Sequence, residues 1–112
     1  MCRALKVLCA APGRERLAEL KRAVLSVHWE LAGGATCVEE LVNQADVLQP
    51  DVVVIDVELG PDVAIMVRER RPTARVVAVG GPLEGADAIA DTPGAAKDAI
   101  LGMPPVGGPV RI

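Results

Sequence analysis

Aromatic residues are nearly absent from this sequence: its 112 residues include one tryptophan, Trp29, and no phenylalanine or tyrosine. Proteins that bind single-stranded nucleic acid stack bases on aromatic side chains, so this scarcity argues against that function. The net charge of −3 argues against it as well, because binding to a phosphate backbone requires a basic surface. We therefore expect no nucleic-acid partner and a core built from Val, Leu, Ile and Ala.

Metal sites built on cysteine and histidine are also disfavoured. The three cysteines, Cys2, Cys9 and Cys37, form no C-x-x-C pair, and His28 is the one histidine. Structural zinc sites require several thiols or imidazoles at short spacings. An odd number of unpaired thiols is typical of a reduced, cytoplasmic protein, and that is the location we expect.

Long apolar runs are missing too. No window approaches the ~20 apolar residues that cross a membrane, and the amino-terminal apolar run is too short for a secretion signal. We expect no membrane partner. The length is that of one domain, which we place at residues 1–104, followed by a Gly- and Pro-rich tail at 105–112.

The sequence does contain an alternation of short apolar runs and amphipathic stretches. The apolar runs predict β-strands at 4–10, 28–33, 51–57 and 74–80. Apolar residues at helical spacing predict helices at 14–27, 36–45 and 62–70. Beyond residue 81 the pattern weakens: 83–91 favours a helix, and 98–103 fits either a fifth strand or a helix.

This alternation predicts an α/β fold, a doubly wound parallel sheet of four to five strands with right-handed crossovers. In such folds the functional site lies beyond the carboxyl ends of the strands. Asp56 follows the apolar run "VVVI" and so falls at such an end. From spacing alone, Asp56 either belongs to a functional site or caps the turn that follows the strand.

The patterns of common α/β enzymes are not found. The first loop, "AAPGRER", has neither the dinucleotide-binding nor the P-loop glycine pattern. No Ser-His-Asp or Cys-His set falls at the strand ends. We expect a protein that is not an enzyme and that has no cofactor.

Between about Ala4 and Pro104 the chain resembles the receiver domains of bacterial two-component response regulators. The resemblance is carried by "HWELAGGATCVEELVNQADVLQPDVVVIDVEL" and "RERRPTARVVAVGG", which match those domains in order and spacing. It implies a flavodoxin-like fold in which an aspartate that ends the third strand accepts a phosphoryl group from a histidine kinase. Asp56 matches that aspartate.

The other positions that this family uses are changed. Receiver domains hold Mg²⁺ with two acidic residues at the end of the first strand, a hydroxyl residue ends their fourth strand, and a Lys-Pro pair ends their fifth. This sequence has alanines, glycines and a methionine there, which implies a degenerate pocket formed by Ala10, Ala11, Gly80, Gly81 and Met103. The chain is thereby expected to be a pseudo-receiver in which Asp56 is not phosphorylated.

The resemblance and these losses imply a stand-alone receiver-like domain that acts in bacterial signalling or regulation through protein–protein contact. Two alternatives stay open. One is a working phosphoacceptor that uses Asp56 with a rearranged metal site, and only in this case is Mg²⁺ a cofactor. The other is an α/β module that binds a small ligand in the uncharged pocket.

Only eight residues follow Pro104, so either the chain has no fifth helix of the kind that the family carries, or that helix lies beyond Ile112. Without this helix, an apolar sheet face near strands one and five is expected to be uncovered. A monomer rarely leaves such a face exposed. We expect it to be covered by the tail, by a regulator or kinase, or by a second copy in a homodimer. The predicted interaction surface comprises Val76, Leu83, Ile89, Ile100 and Leu101.

Two arginines, Arg14 and Arg16, follow Pro12-Gly13 at a predicted helix start. Such a helix start either lies in solvent or binds an anion at the place of the family's acidic pair. The sequence leaves both possibilities open.

Overall fold

The computed structural model describes residues 5–27 and 29–102, which form one sheet of five parallel strands in the order β2-β1-β3-β4-β5. The strands are β1 (Leu5–Ala10), β2 (Trp29–Ala35), β3 (Val52–Asp56), β4 (Arg75–Val79) and β5 (Ala88–Ala90). The α-helices are α1 (Arg14–Val24), α2 (Val38–Leu48), α3 (Val63–Arg70) and α4 (Pro93–Leu101), and a 3₁₀ turn follows β3 at Val57–Leu59. The predicted doubly wound, flavodoxin-like α/β fold is confirmed.

The middle of the sheet consists of strands that are buried on both faces. All five residues of β3 are buried, as are the last four residues of β1 and of β4. Branched aliphatic side chains pack well on a pleated surface, and a central parallel strand is covered on both sides. This is why the uninterrupted apolar runs of the sequence form strands.

Each face of the sheet has its own apolar cluster. On one face Val24 of α1 and Ile100 of α4 belong to the same cluster as Val54 of β3. On the other face Leu41 of α2 and Val67 of α3 belong to the second cluster. No helix in the described part of the chain is long and apolar enough to cross a membrane.

The region after β4 differs from the prediction. Residues 83–91, predicted as a helix, contain turns and β5. The segment 98–103, which fitted either a fifth strand or a helix, is helical as far as Leu101. The physical reason is found at Thr92, whose Oγ1 accepts a hydrogen bond from the N–H of Ala95 at 3.2 Å, while Pro93 starts the helix. A capping hydroxyl followed by proline favours a helix start, not a stop.

The connection that lacks a helix is therefore not the one that the sequence predicted. The β4–β5 connection, residues 80–87, is described throughout and contains no helix, whereas α4 follows β5. Because α4 packs against α1 and over β4 and β5, the prediction that α1 alone covers its sheet face is wrong. Met103 and the tail at 105–112 lie outside the described residues.

Two aspartates hold the amino edge of the sheet, which is the edge formed by the first residues of the strands. Asp51 precedes β3: its Oδ2 accepts the N–H of Lys6 at 2.9 Å, and its own N–H donates to the Lys6 carbonyl at 2.9 Å. Asp87 precedes β5 and makes the same two bonds with Val76, each at 2.8 Å. Each aspartate thus ties its strand to the neighbouring strand at the start of the ladder.

Candidate functional site

The carboxyl edge of the sheet, formed by the last residues of the strands, carries Asp56 at the end of β3. On one side Ala10 of β1 pairs with Ile55, and on the other side Asp56 itself pairs with Val79 of β4. Parallel pairing therefore brings the ends of β1 and β4 to either side of Asp56. The Asp56 side chain is 11% exposed, so its carboxylate lies in a largely buried position.

Both carboxylate oxygens of Asp56 have partners. Oδ1 accepts the N–H of Glu58 at 2.9 Å and so caps the 3₁₀ turn. Oδ2 lies 2.8 Å from Nη2 of Arg16, and Nη1 of the same guanidinium lies 2.9 Å from Oε1 of Glu58. Asp56 is thus the cap of its turn and a member of an ion-pair cluster, the Arg16 triad (Arg16, Asp56 and Glu58).

Arg16 reaches this position from the first turn of α1. The helix begins at Arg14, soon after β1 ends, so its first turn stands over the carboxyl edge. The negative charge of Asp56, followed by the hydrogen bond to Glu58, raises the pKa of the Arg16 guanidinium further above its ordinary value. The sequence places two arginines at this helix start, and one of them, Arg16, forms ion pairs with the carboxylates of Asp56 and Glu58.

A cleft of about 150 Å³ lies beside the triad. Its lining residues include four charged side chains and are Arg16, Glu19, Leu20, Asp56, Val79, Gly80, Asp91 and Pro93. The cleft is therefore charged, which differs from the uncharged pocket expected from the sequence. Ala10 and Ala11 do not line it, because both are completely buried in the two apolar clusters.

Gly80 follows β4 at the position where the resemblance implies a hydroxyl residue. Its φ is +102°, a conformation that residues with a side chain rarely adopt. A Cβ at this position would lie 3.3 Å from Cγ2 of Val57. A serine or threonine at position 80 would therefore be strained. Gly81, the next residue, does not line the cleft.

Mg²⁺, which the resemblance implies at this edge, does not fit the residues present. Mg²⁺ requires a near-octahedral shell of oxygen ligands that includes carboxylates. Ala10 and Ala11 offer no ligating side chain, and Oδ2 of Asp56 already contacts Arg16. Within residues 5–27 and 29–102, no three Asp, Glu, His or Cys side chains are grouped so that they could hold a metal ion.

The position of β5 also changes which residue corresponds to the family's lysine. The proline that follows β5 is Pro93, so the residue before it is Thr92 and not Met103. Thr92 carries a hydroxyl that caps α4. The assignment of Met103 to the pocket depended on a strand at 98–103, and Met103 itself lies outside the described residues.

Three of the five residues of the predicted interaction surface belong to the core. Val76, Leu83 and Ile100 are 0%, 9% and 4% exposed, because they pack in the two clusters on the sheet faces. Ile89 and Leu101 are 55% and 52% exposed. Only these two residues of the predicted surface are available for contact with a partner.

The pairing of Arg16 with Asp56 was not found from the sequence, although a signal was present. A helix that begins directly after a parallel strand places its first turn at the carboxyl edge, where Asp56 was expected. A cation in that turn is therefore a candidate counter-ion for Asp56. Asp91 was missed because the fifth strand was placed about ten residues too late.

No protein-family model and no curated protein matches the sequence, but solved structures do. The receiver domain of the response regulator NarL from Mycobacterium tuberculosis matches with a TM-score of 0.74 and 19% identity, over 89% of this chain and 95% of that one. The response regulator domain of Thermotoga maritima CheB matches with a TM-score of 0.67 and 22% identity, over 78% and 77%. A chain of the R. sphaeroides complex between the phosphorylated P1 domain of CheA3 and CheY6 matches with a TM-score of 0.70 and 11% identity, over 87% and 93%.

These neighbours share with the chain its five-stranded parallel sheet and its helices on both faces. Their sequence identities are low, and the likeness lies in the backbone. The chain therefore has the fold of a response-regulator receiver domain.

Proposed function

We propose that this protein is a degenerate receiver-like domain that acts in bacterial signalling through contact with other proteins, without phosphorylation of Asp56. Receiver domains with this fold are signalling modules and not enzymes, and we assign the same non-enzymatic role here. The expected location is the cytoplasm, where reduced thiols such as Cys9 and Cys37 persist.

The Arg16 triad is the observation that carries this proposal. Phosphoryl transfer to a carboxylate requires a free oxygen and cations that are positioned to neutralise the developing charge. Oδ2 of Asp56 contacts a guanidinium at 2.8 Å, and Oδ1 accepts the N–H of Glu58 at 2.9 Å. The end of β1 carries alanines, so it supplies no carboxylate that could hold Mg²⁺ together with Asp56.

Intact-protein mass spectrometry with a small phosphodonor and Mg²⁺ tests this proposal. The wild type and Asp56→Asn are each incubated with acetyl phosphate, and in parallel with beryllofluoride, beside a phosphorylatable receiver domain as the positive control. We expect no phosphoryl adduct on either form while the control is modified. A Mg²⁺-dependent adduct on the wild type that is absent from Asp56→Asn would replace the proposal with the phosphoacceptor alternative.

For the contact surface we propose the open edge of β5, where Ile89 is exposed and no helix precedes the strand in residues 80–87. The proposed occupant is a second copy of the chain, because a self-complementary patch closes by two-fold symmetry. Sedimentation velocity of the wild type, Ile89→Asp and a control, Val47→Asp on α2, tests this point. We expect a dimer that only Ile89→Asp dissociates; a wild-type monomer at high micromolar concentration would eliminate the second copy as the partner.

A further inference from the structure

An open groove of about 710 Å³ lies where α1 and α4 end. The two helices pack against each other on one face of the sheet. Leu25, Ser26 and Val27, which follow α1, line one side of the groove, and Lys97 and Leu101 of α4 line the other. This α1–α4 groove is large enough to accept several side chains.

The α1–α4 groove brings together apolar side chains that are exposed. Leu25, Val27 and Leu101 are 60%, 97% and 52% exposed, and they are three of the six large apolar residues that the described part of the chain exposes. Single exposed apolar residues are ordinary, but a group of them in one hollow indicates a surface that binds something. Among the described residues of the lining only Lys97 carries a charge, so the groove fits an apolar occupant.

The chain itself has an apolar segment that starts at the rim of this groove. Residues 103–112 lie outside the described residues and follow Leu101 after a single glycine. Their sequence, "MPPVGGPVRI", contains four apolar residues besides its prolines and one charged residue. Val106 lies five residues beyond Leu101 in the sequence, so the two are at most about 18 Å apart. Packed helices lie about 8–10 Å apart, so Val106 is able to reach either side of the groove.

We propose that residues 103–112 turn back into the α1–α4 groove and cover Leu25, Val27 and Leu101. Because this segment is tethered to α4, its effective concentration at the groove is high, and a modest apolar contact is sufficient to hold it there. The segment then closes the groove to other proteins and leaves the open edge of β5 for partner contact. This inference does not depend on the state of Asp56.

NMR of the full chain with labelled methyl groups tests the proposal. We expect nuclear Overhauser effects between the methyl groups of Val106 and those of Val27 or Leu101. A second sample, an equal mixture of labelled and unlabelled chains, is recorded with an isotope filter that detects only contacts between copies. We expect no contact between Val106 and the groove in that sample, because the segment binds within its own chain.

Melting temperatures of variants give an independent measurement. Val27→Gln is compared with Val47→Gln on α2, since both valines are exposed and the same change is made at each. We expect Val27→Gln to lose a few degrees and Val47→Gln to keep the melting temperature of the wild type. Val106→Gln is expected to lose about as much as Val27→Gln. The double variant Val27→Gln/Val106→Gln should lose less than the sum, because both changes remove the same contact.

Three NMR results would overturn the inference. Contacts that appear only through the isotope filter would assign the groove to a second copy of the chain. Contacts of Val27 and Leu101 with residues 1–4 would assign it to the amino-terminal segment. The absence of any contact to these methyl groups would leave the groove open for a different protein. Equal melting temperatures for Val27→Gln, Val106→Gln and the wild type would also contradict the proposal.

Discussion

Asp51 and Asp56 stand at the two ends of β3, and they are the charged residues that the described part of the chain buries. Their carboxylates interact with different partners. Asp51 accepts a backbone N–H from β1, the neighbouring strand. Asp56 accepts a backbone N–H from its own turn and the guanidinium of Arg16. The first carboxylate joins two strands, and the second lies beside a cleft.

The comparison shows that burial alone does not identify a functional carboxylate. Asp51 is the more buried of the two, at 2% exposure against 8%, yet its bonds are those of a structural clamp. Asp87 makes the same bonds at the start of β5, so the clamp is a repeated feature of the amino edge. What distinguishes Asp56 is its place at the carboxyl edge and its charged partner Arg16, whose side chain is 47% exposed.

The largest expected effect is that of Asp51→Ala on stability. Removal of the carboxylate leaves the N–H of Lys6 without its acceptor in a part-buried position. Such a loss costs about 2–3 kcal/mol of the free energy of unfolding. Urea denaturation of Asp51→Ala and Asp56→Ala measures the difference, and we expect about 1 kcal/mol for the second variant. Equal losses would mean that both ends of β3 carry the same kind of clamp.

Cys9 tests how far the carboxyl edge is open to solvent. It is completely buried one residue before the end of β1, and this burial, against the smaller opposing effect of Lys21, raises the pKa of its thiol from 9.0 to about 12. The pKa of the Cys9 thiol is higher in the folded protein than in the unfolded chain. The neutral thiol therefore makes its full contribution to stability below about pH 9, and this contribution is lost as the pH rises toward 12. The expected slope is about 1.4 kcal/mol per pH unit in that window.

The measurement is urea denaturation between about pH 8 and about pH 10.5, a range within which the thiol of the unfolded chain titrates. We expect the stability of the wild type to fall more steeply than that of Cys9→Ala. Cys37→Ala is the control, because Cys37 is exposed and its removal leaves Cys9 in place. Parallel curves for all three proteins would mean that solvent reaches Cys9 in the folded state.

The central strands could be predicted from the sequence because their signal is local. Four consecutive apolar residues form β3 together with Asp56, which is its last residue. β5 could not be found in this way, because three residues, two of them alanine, carry no strand signal. The chain becomes a strand there through pairing with β4 and through the Asp87 clamp. Both are tertiary contacts.

The residues of the candidate site also fall into those that the sequence indicates locally and those that only tertiary contacts bring together. Asp56 was predicted because a carboxylate after an apolar run is visible in the sequence. The absence of acidic residues at positions 10 and 11 was equally visible, because both are alanines. The partner of Asp56 was not, because Arg16 reaches it only when α1 is packed on the sheet.

Thr92 offers a smaller test at the carboxyl edge, where it starts α4. Its Oγ1 accepts the N–H of Ala95, and the loss of such a cap costs about 1 kcal/mol of stability. We expect Thr92→Ala to lose that amount in urea denaturation and Thr92→Ser to retain most of it, because serine keeps the hydroxyl. A full loss in Thr92→Ser would mean that the methyl group of Thr92, and not its hydroxyl, stabilises the helix start.

The smallest expected effect is that of Asp56→Asn, and its dependence on salt separates the two ends of β3. An asparagine Oδ1 can still accept the N–H of Glu58, so the variant loses chiefly the charge contact with the half-exposed Arg16. We expect the melting temperature at low ionic strength to fall by less than about 3 °C, since exposed ion pairs contribute little. At 1 M NaCl, where the Debye length is about 3 Å, the difference from the wild type should become smaller.

Asp51→Asn is the matched variant, because the bond of Asp51 is part-buried and its donor, the N–H of Lys6, carries no net charge that salt could screen. Its loss of melting temperature should therefore be the same at both salt concentrations. If Asp56→Asn also kept its full loss at 1 M NaCl, Asp56 would be held by its turn as Asp51 is held by its strand. The loss in Asp56→Asn would then come from the contacts of the turn and not from the charge of the ion pair with Arg16.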